Sequence, residues 1–119
     1  MRSGYPSAYY PPKYKAFKKD VSSYLKEHFS HIRFECEAVY LTYTFIFNRP
    51  KALQRKKDTE KRIKHIKKPD LDNLIKSMND VLEDAGILSN DSIVQSIKAS
   101  KFIAGKDEAA HIIIELNHG

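Results

Sequence analysis

Lys68-Pro69-Asp70-Leu71-Asp72-Asn73-Leu74-Ile75-Lys76 opens the stretch that decides the reading of this chain. It continues through Asp80 and Asp84 to Gly86, then Ser89-Asn90-Asp91-Ser92. Leu71, Leu74, Ile75, Met78, Val81, Leu82 and Ala85 recur at the i, i+3, i+4, i+7 spacing of a helix with one buried face. Pro69 just before the run and Gly86 just after it are the usual punctuation of a helix start and stop. Asp70 and Asp72 therefore fall in or beside the first turn, and Lys76 shares a face with Asp72 one turn on. Asp91 follows the turn after the helix and leads into a strand expected over 93–102. Carboxylates alone are hard oxygen donors, suited to Mg²⁺ or Mn²⁺ rather than Zn²⁺. Whether Asp91 reaches the Asp70 end within one chain or across two is open from sequence.

Outward from this stretch, the run 49–68 carries ten Lys and Arg against two acids, Asp58 and Glu60. Its apolar periodicity is weak, and it reads as a basic loop delivered into the Asp70 motif. Such runs are usually solvated. Here the run abuts a group of carboxylates that would repel phosphate, which favours phosphate contact by Arg55, Lys56, Lys57, Lys61, Arg62, Lys64, Lys67 and Lys68. Residues 1–13, with Pro6, Pro11 and Pro12, read as an extended arm. Residues 14–29 read as a helix with Phe17, Val21, Tyr24, Leu25 and His28 on one face. In 33–48, Val39, Leu41, Tyr43, Phe45 and Phe47 alternate with Tyr40, Thr42, Thr44 and Ile46. Both faces of that segment are substantially apolar, as in a central strand. Lys106-Asp107-Glu108 forms a polar turn, and His111 to Leu116 a last strand. The expectation is one α+β domain over 1–119, a small mixed sheet with two main helices.

Composition narrows the classes further. The 119 residues suffice for one domain with a modest core, and a net charge of +6 points to an anionic partner, nucleic acid before membrane. No run approaches a membrane span. Cys36 has no partner for an internal disulfide, which fits a reducing, cytoplasmic location. The five histidines lack metal-ligand spacing, and four glycines do not build a phosphate-cradling loop.

The order Lys68-Pro69-Asp70-Leu71-Asp72-Asn73-Leu74-Ile75-Lys76, Asp80, Gly86, Asn90-Asp91 resembles the signature of the RusA family of Holliday junction resolvases of bacteria and their prophages. The likeness covers about Lys67 to Lys101. It implies a Mg²⁺-dependent homodimer that nicks four-way DNA junctions symmetrically in recombination and repair. Its catalytic, metal-binding carboxylates fall on Asp70, Asp72 and Asp91 and its essential lysine on Lys76, and Asn73 stands as a residue that orients the loop or a ligand water. Many members carry two acids where this chain has Asn90-Asp91, and most begin with a short strand ahead of a proline-containing loop, inside which this chain begins. Two alternatives are a nuclease acting mainly on forks or flaps, and a non-catalytic basic DNA-binding protein.

Overall fold

The structure is a computed structural model that describes residues 3–4, 7–9, 17–51 and 61–119, with side chains over 19–51 and 61–119. In chain order its elements are β1 (Ser3–Gly4), β2 (Ser7–Tyr9), α1 (Phe17–Phe29), β3 (Val39–Phe47), β4 (Ile63–Lys64), α2 (Leu71–Asp84), a 3-10 turn (Asp91–Ile93), β5 (Val94–Ile103) and β6 (His111–His118). The sheet order is β1-β6-β3-β5-β4, with β2 also on β6. β3 pairs with β6 antiparallel and with β5 parallel, so the sheet is mixed and the domain α+β.

β3 is central because both its edges are paired, one with β5 and the other with β6. Leu41, Tyr43 and Phe45 stand opposite Leu116, Ile114 and Ile112 of β6, all buried on one face. Val21 and Leu25 of α1 and Met78, Val81 and Leu82 of α2 close over that face in a single core. Removing one fully buried side chain here, such as Leu82→Ala, costs about 2–5 kcal/mol. The parallel β3–β5 pair requires a crossover, and α2 supplies it.

Two polar contacts bind the helices to this frame. The Tyr43 hydroxyl donates to Asn79 Oδ1 at 2.7 Å, and burial pushes its pKa far above the usual tyrosine range. Asp84 accepts from the Ser22 hydroxyl and pairs with Lys26 at 3.6 Å, joining the end of α2 to α1. The Ser22 hydrogen bond, then the Lys26 charge, hold the Asp84 pKa below its ordinary value.

Gly86 ends α2 with φ at 81°, a left-handed position that costs glycine little. The chain after it is pinned by Phe34: its N–H donates to Ile87 O at 2.8 Å, and its carbonyl accepts from Ser89 N–H at 2.9 Å.

Several boundaries differ from the sequence reading. The strand expected over 33–48 starts at Val39, because Glu35, Cys36 and Glu37 are exposed and only Phe34 makes a bridge, to Leu88. The strand expected from Ile93 starts at Val94, since Asn90 caps a turn over Asp91–Ile93. The extended run at 1–13 contributes strands of its own, paired antiparallel to β6. The basic run 49–68 is not wholly loop: Ile63 and Lys64 pair with Ile103 and Phe102.

Arg49 at the head of that run is buried, with its guanidinium donating to Ala104 O and Lys61 O at 3.0 Å each. It clasps both sides of the basic segment to the end of β5. Arg49→Met strands those carbonyls and is expected to cost about 2–3 kcal/mol, read as a lower urea midpoint with an unchanged slope.

Candidate active site

The site begins with the direction of α2. Lys101, near the end of β5, donates from Nζ to the carbonyls of Lys67 and of Pro69, the latter at 2.7 Å. The C-terminal end of β5 therefore lies beside the N-terminal end of α2, and the two run in opposite directions. The Lys101 contacts bracket Lys68 and fix the backbone just before Asp70. This lysine had no signal in the sequence, because a carbonyl partner has no residue-type signature.

Asp70 is the N-cap of α2, with φ −68° and ψ 144°, and its carbonyl accepts from Leu74 N–H at 3.2 Å. Its carboxylate makes no capping hydrogen bond, unlike most aspartates at this position, which turn back onto the first turn's N–H groups. Asp72, Asn73 and Lys76 are all exposed. Among the described residues, neither Asp72 nor Lys76 is in an ion pair, so Lys76 is not spent on the i, i+4 pairing open to it. Asp70, Asp72 and Lys76 thus stand together at one end of α2, without a side-chain partner among the described residues.

Asp91 stands elsewhere. From Lys101 back to Val94, β5 covers about 23 Å at its usual rise, and α2 with its 14 residues is about 21 Å long. Asp91, just ahead of β5, is therefore level with the C-terminal end of α2, roughly 20 Å from Asp70 by the same rises. Accordingly, among the described residues, no three Asp, Glu, His or Cys side chains are grouped so as to hold a metal ion. Asn90 Oδ1 accepts from the Ser92 N–H at 2.7 Å and sets Asp91 in its exposed turn.

The basic residues divide. Lys61, Lys64, Lys67 and Lys68 are exposed around the approach to Asp70. Arg62 forms a forked pair with Glu108, Nη2 to Oε2 at 2.6 Å and Nε to Oε2 at 2.9 Å. It is tied down on the turn after β5. Arg55, Lys56 and Lys57 lie outside the described residues. Two features went unread in the sequence. His65 packs edge-on against Phe47 at 4.7 Å, and burial, then the Lys101 charge, hold its pKa below the ordinary value. Ile66 is 88% exposed, an apolar side chain turned outward beside the Asp70 approach. Among the described residues, no helix is long and apolar enough to cross a membrane.

This is a basic α+β domain with exposed carboxylates and an exposed lysine near the start of one helix, residue types that enzymes acting on phosphate esters use. A family model described as Endodeoxyribonuclease RusA matches residues 1–116. The chain belongs to the RusA family of endodeoxyribonucleases, hydrolases of DNA phosphodiester bonds that resolve Holliday junctions and generally depend on a divalent metal. No curated protein matches it. Among solved structures it is similar to a chain of a HypE-HypF complex at 14% identity and a TM-score of 0.40, over 98% of this chain and 32% of the other. The chain spans about a third of that protein's length, and the likeness is too slight to carry an argument.

Two substitutions check this geometry. The Arg62 hydrogen bonds hold the Glu108 carboxyl below its ordinary value of 4.5. A depressed carboxylate stabilises the fold above the unfolded-state value and loses that contribution as pH falls through the folded one. Arg62→Gln is expected to lower stability at pH 7 by at most about 1 kcal/mol, given solvent screening. In urea melts across pH, the gap from wild type closes below about pH 4.5, the ordinary glutamate value.

Lys101→Met removes the donors that set the Asp70 approach. It is expected to slow single-turnover cleavage about tenfold or more, since small misplacements at a reacting centre cost that much. Junction affinity should be unchanged, and Lys101→Arg should restore most of the rate.

Proposed function

We propose that this protein is a Mg²⁺-dependent homodimer that resolves four-way DNA junctions by paired, symmetric nicks. The observation that carries the reading is the uncommitted state of Asp70 and Asp72 at the start of α2, with Lys76 free on the next turn. The donor set fits the ion: exposed carboxylates at a helix start offer the hard oxygens that Mg²⁺ prefers. Asp70 and Asp72 would hold it, with Asp91 of the partner subunit as a third ligand, since Asp91 of the same chain lies at the far end of α2, and with Mn²⁺ as a working substitute. When bound, the metal supplies charge stabilisation at the phosphoryl oxygen and the leaving 3′-oxygen.

The chain's own residues supply the rest. Lys76 meets the negative charge that grows on the phosphoryl group as water attacks, a contact stronger in the transition state than in the bound substrate. Asn73, exposed in the first turn, orients a water or a carboxylate by hydrogen bonding. Lys61, Lys64, Lys67 and Lys68 offset the repulsion between DNA phosphates and the aspartates and hold the backbone on approach. The pairing of two like sites suits a substrate that needs two matched incisions.

The test is one set of gels: a labelled four-way junction, a flap and a plain duplex, each with Mg²⁺ and with EDTA. Paired nicks in the junction alone, only with Mg²⁺, are expected. Preferred cutting of the flap would make this a fork or flap nuclease, and retention without cutting a DNA-binding protein. Asp70→Asn, Asp72→Asn and Asp91→Asn should each abolish cleavage while junction binding survives. Lys76→Ala should cut the rate about a hundredfold without moving the melting temperature, because it pairs with no described residue.

A further inference from the structure

The turn that leads into Asp70 displays an apolar side chain and holds it out. Among the described residues, Ile66 is the one large apolar side chain left exposed, at 88%. A single apolar side chain on a surface is ordinary. What sets this one apart is how its neighbours are fastened. On one side, the His65 ring packs edge-on against Phe47 at 4.7 Å. On the other, the Lys67 N–H donates to His65 Nδ1 at 3.3 Å, and the Lys67 carbonyl accepts from Lys101 Nζ. Ring and backbone thus close a small turn around Ile66, anchored to the end of β3 through Phe47 and to β5 through Lys101. With both neighbours held, Ile66 is kept from folding down onto the core.

The surroundings say what it meets. Lys64, Lys67 and Lys68 are exposed about it. That rim of positive charge favours a polyanion and disfavours a second copy of the same turn. A DNA backbone held by those lysines has one apolar surface to offer, the faces of its bases. Along a continuous duplex those faces are stacked on one another. At a branch point the stack is interrupted, and a base pair ends with a face open to be covered. Isoleucine is among the apolar side chains that enter base steps and kink the helix.

We infer that Ile66 is a wedge that inserts against the base pair at the branch point of the DNA, unstacks it, and so sets the adjoining phosphate toward Asp70, four residues on. The inference rests on the reading of the substrate as branched DNA. It divides the labour of recognition: the lysines hold any duplex, and Ile66 finds a surface only where the stack is broken. The apolar contact offsets the cost of unstacking, so the wedge changes which DNA is cut far more than how tightly it is held.

The probe is a four-way junction with 2-aminopurine, a fluorescent adenine analogue quenched by stacking, in the base pair at the branch point. A second junction carries it in the middle of one arm. Both are titrated with the full chain in EDTA. Wild type is expected to brighten the branch-point probe and leave the mid-arm probe unchanged. Ile66→Ser should melt at the wild-type temperature and bind the junction with nearly wild-type affinity, yet leave both probes dark. In Mg²⁺ its single-turnover cutting of the junction should fall about tenfold or more, the cost of a misplaced reacting phosphate. Ile66→Phe should recover both the signal and the rate. Equal brightening by wild type and Ile66→Ser overturns the inference. So does an Ile66→Ser chain that sediments at a lower mass than wild type, which would place the side chain in a contact between chains. If wild type brightens the branch-point probe through Ile66 but cuts no junction, the resolvase reading fails and the wedge stands. If it cuts the junction with the probe dark, the wedge fails and the resolvase reading stands.

Discussion

The burial of one face of α2 against β3 is the contact on which the rest depends. Met78, Val81 and Leu82 cover Leu41, Tyr43 and Phe45, all closed to water. That packing fixes where the helix sits and how it rolls. The same roll turns Asp72 and Lys76 outward, and the helix start leaves Asp70 at its mouth. The crossover also commits the chain to a direction: β5 must come back along the helix to lie parallel to β3. The acidic end and the Asp91 turn are separated for that reason, and not by any preference of the side chains themselves.

Around this frame, a few polar groups do positional work that apolar packing cannot. Arg49 bonds to carbonyls on both sides of the basic segment, and Lys101 bonds to carbonyls on both sides of Lys68. Both are cations that donate to neutral backbone. Their effect is to tie the approach to Asp70 to the end of β5. Arg62 is spent in the same structural way on Glu108. The exposed positive charge on the approach to Asp70 therefore comes from Lys61, Lys64, Lys67 and Lys68 among the described residues, with Lys76 on the helix itself. These are compact charges on flexible stems, suited to following a phosphate backbone and not to reading bases.

Much of the architecture was legible in the residues. The period of Leu71 to Ala85, with Pro69 before it and Gly86 after, determined α2 almost to its ends, because a buried helical face and a left-handed stop each have a direct sequence signature. The two-sided apolar pattern of Val39 to Phe47 determined a central strand. Asp70, Asp72 and Lys76 were legible as a group because they lie within two turns of one helix, where spacing alone sets their proximity. What only the tertiary structure decided are relations between distant segments. These are the pairing of Ile63 and Lys64 with β5, the capture of Arg49 and Lys101 by carbonyls, and the diversion of Arg62 to Glu108. The position of Asp91 at the far end of α2 belongs with them. The sequence names Asp91 beside Asn90 but contains no distance from it to Asp70. That distance follows from the direction of β5, set by its pairing with β3 and by the packing of the helix between them.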